Sequence, residues 1–243
     1  PKTLSLFSST EGIGLTPEQL QGDQVASLAV PECGTKFVRG MLEDSRPQTF
    51  SDLVRISGFS HGTNVWLDNA QDLIKNGTCK LNEAISTRDD VMNFLIHRGM
   101  DRKHSFFVME NVRKGKGIEK RNKQGQATTE FEAEMRENNI PEWFIESCKK
   151  ISYLFPRAHA VAYVMMAFRI AWFKVYHPLA FYAAYFSIRA KAFDLRIMTG
   201  DLKTQLTEFN RIKALDRAAS PKDKDLMSAL EVSMEMYQRG YRF

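Results

Sequence analysis

Residues 152–177, SYLFPRAHAVAYVMMAFRIAWFKVYH, form a long apolar run headed by a proline and two basic groups. Val161, Val164, Met165, Phe168, Ile170, Trp172, Phe173 and Tyr176 recur at helical spacing. A helix this apolar needs burial, in a protein core or in a bilayer. Arg169, Lys174 and His177 interrupt it, and charges within a helix are costly in lipid. The expectation is therefore a long buried helix of a soluble all-α protein, with no membrane.

The head of the run carries chemistry that burial does not require. Pro156 suits a first helical turn, where its missing N–H is not needed. Arg157 and His159 fall in that turn, and Tyr163, four residues beyond His159, is spaced to stack over it. Free N–H groups at a helix start favour anions, so one reading is a phosphate-binding terminus strengthened by Arg and His. The other reading is plainer. Cations at a helix N-terminus oppose the dipole, and such groups are commonly solvated or paired with carboxylates. The pattern alone leaves both open.

With 243 residues, 43% of them hydrophobic, the chain can build one large core or two small ones. A net charge of +5 suits a polyanion-binding surface. Cys33, Cys79 and Cys148 are far apart, odd in number and outside any C-x-x-C pattern. They read as reduced thiols of a cytoplasmic protein, not as a disulfide frame or a zinc site. The chain opens on PKTLSLFSSTEGIGL, without Met or a signal-peptide pattern, as though cut from something larger.

Elsewhere the punctuation is helical. Thr16-Pro17-Glu18 opens a short helix within an otherwise aperiodic strap. Helices are expected from Thr35 to before Pro47, and after a cap at Thr49 or Ser51, with Leu53, Val54 and Ile56 as the apolar face. Residues 57–64, SGFSHGTN, read as a turn, and Val65–Ile74 as a helix stopped by Asn76-Gly77. Further helices follow a cap at Ser86 or Thr87, and span Arg102–Val112, Glu130–Asn138, Glu142–Ile151, Pro178–Arg189, 201–219 and 222–239. Residues 113–129, RKGKGIEKRNKQGQATT, are a basic, glycine-bearing loop with little to bury.

Catalytic signatures are lacking. Asp89-Asp90 and Asp223-x-Asp225 are the tight acidic pairs, and both suit structural roles at helix starts. There is no G-x-S-x-G, H-E-x-x-H or Walker-type loop. Instead the chain offers anion-binding pieces: Arg113, Lys114 and Lys116 on the loop, Arg157 and His159 at a helix entrance, and Arg55 with His61 near the Gly-bearing turn. Leu53-x-x-Ile56-x-Gly58-Phe59-x-x-Gly62 is a loose helix-hairpin-helix pattern, whose turn amides would hold a DNA phosphate.

The stretches PECGTKFVRGMLEDSRPQTFSDLVRISGFSHGTNVW, MENVRKGKG and YLFPRAHAVAYVMMAFRIAWFKVYHPLAFYAAYF resemble the bacterial C-family replicative DNA polymerases, most nearly the type of low-GC Gram-positive bacteria. The resemblance implies a fingers region: residues 1–36 connect from the palm, 37–199 are the fingers, and 200–243 lead out toward a tandem helix-hairpin-helix domain. It implies substrate binding by Arg113, Lys114 and Lys116, by Arg157, His159 and Tyr163, and by Ser57, Ser60 and His61 as pocket wall. Arg157 stands where Lys is common, which keeps the charge and adds bidentate reach. Residues 118–129 are longer and more polar than the usual connection.

By the same resemblance the chain holds no catalytic residue and no metal ligand, since the Mg2+-binding carboxylates belong to the palm. The implied partners are the incoming dNTP, primer–template DNA, and the sliding clamp and other replisome subunits through the full chain. Two other classes stand beside this one. A non-catalytic DNA-backbone-binding module would bind DNA with a steep salt dependence, indifferent to nucleotide. A helical scaffold for partner subunits would tolerate substitutions in the basic loop.

Overall fold

The computed structural model describes residues 2–121 and 127–243. Its helices in chain order are α1 (Lys2–Ser5), α2 (Lys36–Ser45), α3 (Phe50–His61), α4 (Gln71–Lys75), α5 (Arg88–His97), α6 (Arg102–Arg113), α7 (Glu130–Glu137), α8 (Glu142–Lys150), α9 (Arg157–Tyr176), α10 (Pro178–Ala184), α11 (Leu195–Met198), α12 (Leu202–Leu215) and α13 (Pro221–Gln238). The fold is all-α; among the described residues extended pairing amounts to a two-residue ladder, Lys120 opposite Thr128 and Arg121 opposite Ala127, and two isolated bridges, Thr63 with Tyr153 and Thr87 with Phe155. Of the basic stretch 113–129, residues 122–126 lie outside the described residues.

Helix starts follow the local capping chemistry. The Thr35 hydroxyl accepts from Val38 N, Thr49 and Asp52 form a reciprocal box, and Asp101 accepts from the amides of Lys103 and His104. Thr87 with Asp90 and Ser220 with Asp223 repeat the box at α5 and α13. Each satisfies N–H groups that the helix cannot pair internally.

Two expected element boundaries are corrected. The turn expected over residues 57–64 is helical through His61. Gly58 is there because a Cβ would lie 2.6 Å from the Ser86 carbonyl oxygen, so α3 crosses the 84–87 segment at backbone contact. No hairpin turn exists at this point, which removes the helix-hairpin-helix reading. The helix expected over Val65–Ile74 is broken at Leu67–Asn69, with Asp68 at φ +56°. Buried Asn69 accepts from the Ser147 hydroxyl at 2.7 Å and donates to the Asn64 carbonyl at 3.0 Å. That pairing replaces helical hydrogen bonds, and α4 starts only at Gln71.

The chain packs as two units, Thr49–Met165 and Pro1–Gln48 with Met166–Phe243. The first is built around α3, α5, α6, α7 and α8. Phe59 lies against Trp66 at 5.1 Å and Phe94 stacks on Phe144 at 4.1 Å. The second has one core of Met198, Phe209, Ile212, Leu230 and Met234, and another of Leu28, Phe181, Tyr182, Val232, Met236 and Tyr237.

Helix α9 is only in part the buried helix expected. Ala160, Val164, Ala167, Ala171 and Lys174 are buried, a narrow stripe at alternating spacings of four and three. Tyr163, Met165, Met166, Trp172, Phe173 and Tyr176 are exposed. By length and composition α9 is long and apolar enough to cross a bilayer. The Lys174 ammonium, however, is fully buried, donating to Ala26 O, Leu28 O and the Glu235 carboxylate. The three cysteines are free and buried. Burial pushes the Cys79 thiol up to about 11 and the Cys33 thiol up to about 12, and raises Cys148 as well.

Candidate functional site

The nine residues for which the resemblance implies substrate binding, and Arg55 with them, lie in the unit Thr49–Met165. What relates them is a short extended strap, residues 152–156, that leads into α9. Tyr153 pairs with Thr63 just beyond α3: Thr63 N donates to Tyr153 O at 3.0 Å, and Ser152 N to Thr63 O at 3.0 Å. Leu154 N donates to the carbonyl of Arg113, the last residue of α6, at 3.4 Å. Arg88 N donates to Phe155 O at 3.2 Å, tying in the start of α5. Three segments far apart in sequence thus meet along five residues. Gly115 is needed beside the strap: it sits at φ +69°, and a Cβ there would lie 2.5 Å from Ser152 O.

The end of α3 and the start of α9 share an aromatic layer. The His61 ring stacks on Phe155 at 4.7 Å and on Tyr163 at 5.8 Å, nearly parallel to both. Phe155 also meets His159 edge-on at 5.8 Å. Tyr163 therefore stacks across to α3 and not over His159, correcting the i,i+4 expectation. His61 Nδ1 lies 2.8 Å from Ser57 O and 3.1 Å from the Ser60 hydroxyl. A carbonyl oxygen can only accept, so the bond to Ser57 O places a proton on Nδ1. The Ser57 hydroxyl is buried and makes no hydrogen bond among the described residues.

The cations are held by carboxylates. Arg113 makes a bidentate pair with Glu110, at 2.5 and 3.0 Å, and Lys114 reaches the same carboxylate at 2.9 Å. These hydrogen bonds hold Glu110 down to about 2 and raise Arg113 further. Lys116 is exposed and lines a cleft of about 850 Å³ with Asn111, Gly115, Gly117, Ile118 and Glu119.

At the entrance of α9 the plainer sequence reading holds in part. Arg157 N donates to Asp89 Oδ2 at 2.9 Å, and the Arg157 guanidinium pairs with Asp90. One N–H of the helix terminus and one edge of its arginine are thus occupied by acids of α5, while 41% of the Arg157 side chain stays exposed. Arg55 shares Asp90 at 3.5 Å and donates to Ala84 O at 2.9 Å. Burial alone would raise the Asp90 carboxyl; Arg55, the Ser86 hydroxyl and Arg157 outweigh it and hold it below the usual range.

Glu110 and Phe155 are neighbours of the candidate residues that sequence reasoning did not single out, and Asp89 and Asp90 were read there only as acids at a helix start. Glu110 carried a signal, standing three and four residues before Arg113 and Lys114 on one helix. Asp90 carried half of one, the Thr-x-x-Asp box; its arginine partners are long-range. Among the described residues no group of three or more His, Cys, Asp or Glu side chains is placed to hold a metal ion.

Fold and site together define an all-α module that presents basic side chains on helix ends around a shared strap. The sequence profile of the bacterial DNA polymerase III alpha subunit finger domain matches residues 1–139, and the chain belongs to that family. Over its whole length the chain is 54% identical to the PolC-type DNA polymerase III of Caldanaerobacter subterraneus subsp. tengcongensis, of which it spans 17%. It is 51% identical to the PolC-type DNA polymerase III of Bacillus subtilis, spanning 16%, and 54% identical to that of Thermotoga maritima, spanning 17%. The chain thus spans about a sixth of the length of these curated relatives.

Proposed function

We propose that this chain is the fingers part of a replicative DNA-directed DNA polymerase, a cytoplasmic nucleotidyltransferase. In this reading it binds the triphosphate of the incoming dNTP and closes over the nascent base pair. Residues 37–199 are the fingers proper, 1–36 the connection from the palm and 200–243 the lead-out. The observation that carries the reading is the strap, which joins the ends of α3 and α6 to the entrance of α9.

Arg113 and Arg157 supply positive charge toward the β- and γ-oxygens, where charge builds on the leaving pyrophosphate. Lys114 and Lys116 extend that field. His159 hydrogen-bonds a phosphate oxygen, and Tyr163, carried on the His61–Phe155 layer, packs beneath the base or sugar. Ser57, Ser60 and His61 form the wall. Mg2+ is held by the palm of the full enzyme and supplies charge neutralisation in the displacement. Primer–template DNA, the sliding clamp and other replisome subunits engage through the full chain.

The test is single-nucleotide incorporation by the full-length polymerase carrying Arg113→Ala or Arg157→Ala. Each is expected to lose kcat/KM for dNTP by about 10²-fold, as for one lost oxyanion donor. Unchanged values in both would refute the reading. Undiminished incorporation with weakened, strongly salt-dependent DNA binding would support the DNA-backbone module instead.

A further inference from the structure

Asp90 does more than cap a helix. Its Oδ2 accepts from Ser86 N at 3.1 Å, Ser86 Oγ at 2.7 Å, Thr87 N at 2.8 Å and Thr87 Oγ1 at 3.0 Å. Those four donors complete the capping box and fix the plane of the carboxylate. The other oxygen, Oδ1, takes no part in capping, and both guanidiniums gather on it. The carboxylate is 8% exposed and Arg55 is 15% exposed, whereas Arg157 is 41% exposed. One negative charge therefore anchors two positive ones, with the surplus directed outward on Arg157. Arg55, Arg157, Ser86 and Ser51 line a cleft of about 220 Å³ together with the apolar Phe50, Val54 and Val161, so its polar side is the one the two guanidiniums face.

We propose that Asp90 is a positioning residue for nucleotide binding: it acts through Arg157, holding that guanidinium preorganised at the entrance of α9. This rests on the reading that Arg157 binds the triphosphate. An unanchored arginine loses side-chain entropy each time it engages a phosphate; one fixed by a buried carboxylate has lost it in folding. Arg55 occupies the same oxygen, so Asp90 does not neutralise Arg157 outright.

The experiment is a double-mutant cycle in the full-length polymerase, measuring KM and kcat for dNTP in the wild type, Asp90→Asn, Arg157→Ala and the double variant. Asp90→Asn is expected to raise KM and lower kcat/KM about tenfold, with kcat less affected. The double variant is expected to be no worse than Arg157→Ala alone, and Asp90→Glu should recover part of the loss. If the two losses multiply in the double variant, Asp90 acts independently of Arg157 and the proposal fails. If Arg157→Ala is impaired and Asp90→Asn is not, the proposal fails while the nucleotide-binding reading stands. If Arg157→Ala is itself unimpaired, both fail. Should Asp90→Asn not yield folded enzyme, the same cycle is run with Asp90→Glu, and multiplicative losses there overturn the proposal equally.

Discussion

Lys174 Nζ on α9 lies 2.8 Å from Glu235 Oε2 on α13, and neither side chain has any exposed surface. The other oxygen of Glu235 accepts from the Tyr182 hydroxyl at 2.6 Å, and Arg239 donates to that hydroxyl and to the Lys174 carbonyl, each at 3.0 Å. One of the charges that interrupt the apolar run thus joins α9, α10 and α13.

Removing one partner of this pair should be severe. Lys174→Ala strands a buried carboxylate and takes the donor from two backbone carbonyls, which places the cost at about 3–5 kcal/mol. The double change Lys174→Met with Glu235→Leu should cost less than the single one, because no charge is left uncompensated. It should recover only part of the loss, since Ala26 O and Leu28 O still lose their donor. Hydrogen exchange of α9 and α13 peptides in the full-length polymerase measures both, and equal protection in Lys174→Ala and wild type would contradict the argument.

Gly58→Ala sets helix propensity against packing. In an exposed helix the change would stabilise by about 1 kcal/mol. Here the new methyl meets the Ser86 carbonyl carbon at 2.9 Å and its oxygen at 2.6 Å, and backbone cannot yield as a side-chain tip can. The expected outcome is destabilisation by about 1–3 kcal/mol, with loss of exchange protection in α3 and at residues 84–87. A stabilised variant would mean that the crossing is loose.

These two sites mark where the sequence is legible. Caps at Thr35, Thr49, Thr87 and Ser220 are written within four residues, so most helix starts could be read directly. The α3 end could not: Gly58 and Gly62 look like a turn unless the distant Ser86 backbone is known to press on the helix. The break at Leu67–Asn69 depends on Ser147, and the ring layer of His61 depends on Phe155 and Tyr163. For the same reason the basic residues were visible, whereas Asp90 showed only as a helix-start acid and its pairing with Arg55 and Arg157 did not show. A cation advertises itself in a string of letters, whereas its partner is chosen by packing.

Glu110 is the counter-charge to both Arg113 and Lys114, and it competes with any phosphate for them. Replacing it by Gln keeps the shape and releases two cations. A half-buried pair within one helix that water still reaches contributes modestly to stability, so folding should be little affected. Affinity for dNTP should rise about threefold at low salt, and the gain should shrink as ionic strength increases. KM for dNTP of Glu110→Gln polymerase at two salt concentrations decides it; a raised KM would show that Glu110 orients Arg113 instead of restraining it.

Acid should loosen the α5 entrance late. The Asp90 carboxyl titrates below the ordinary aspartate value of 3.8 in the folded chain, so between that value and its folded pKa the unfolded chain binds more protons. Stability therefore falls as pH falls through this window, and the contribution of Asp90 is fully present above 3.8. Asp23 and Glu231, which flank buried Arg39, behave oppositely, because burial raises both. The folded chain takes up their protons first, and lowering the pH toward their ordinary values favours folding locally. Amide exchange from pH 6 to pH 3, corrected for intrinsic rates, should therefore keep protection around Asp90 until the pH drops below about 3.8. In Asp90→Asn that acid-dependent loss should vanish, and a loss of protection near Ser86 and Thr87 already at pH 5 in the wild type would contradict the assigned direction.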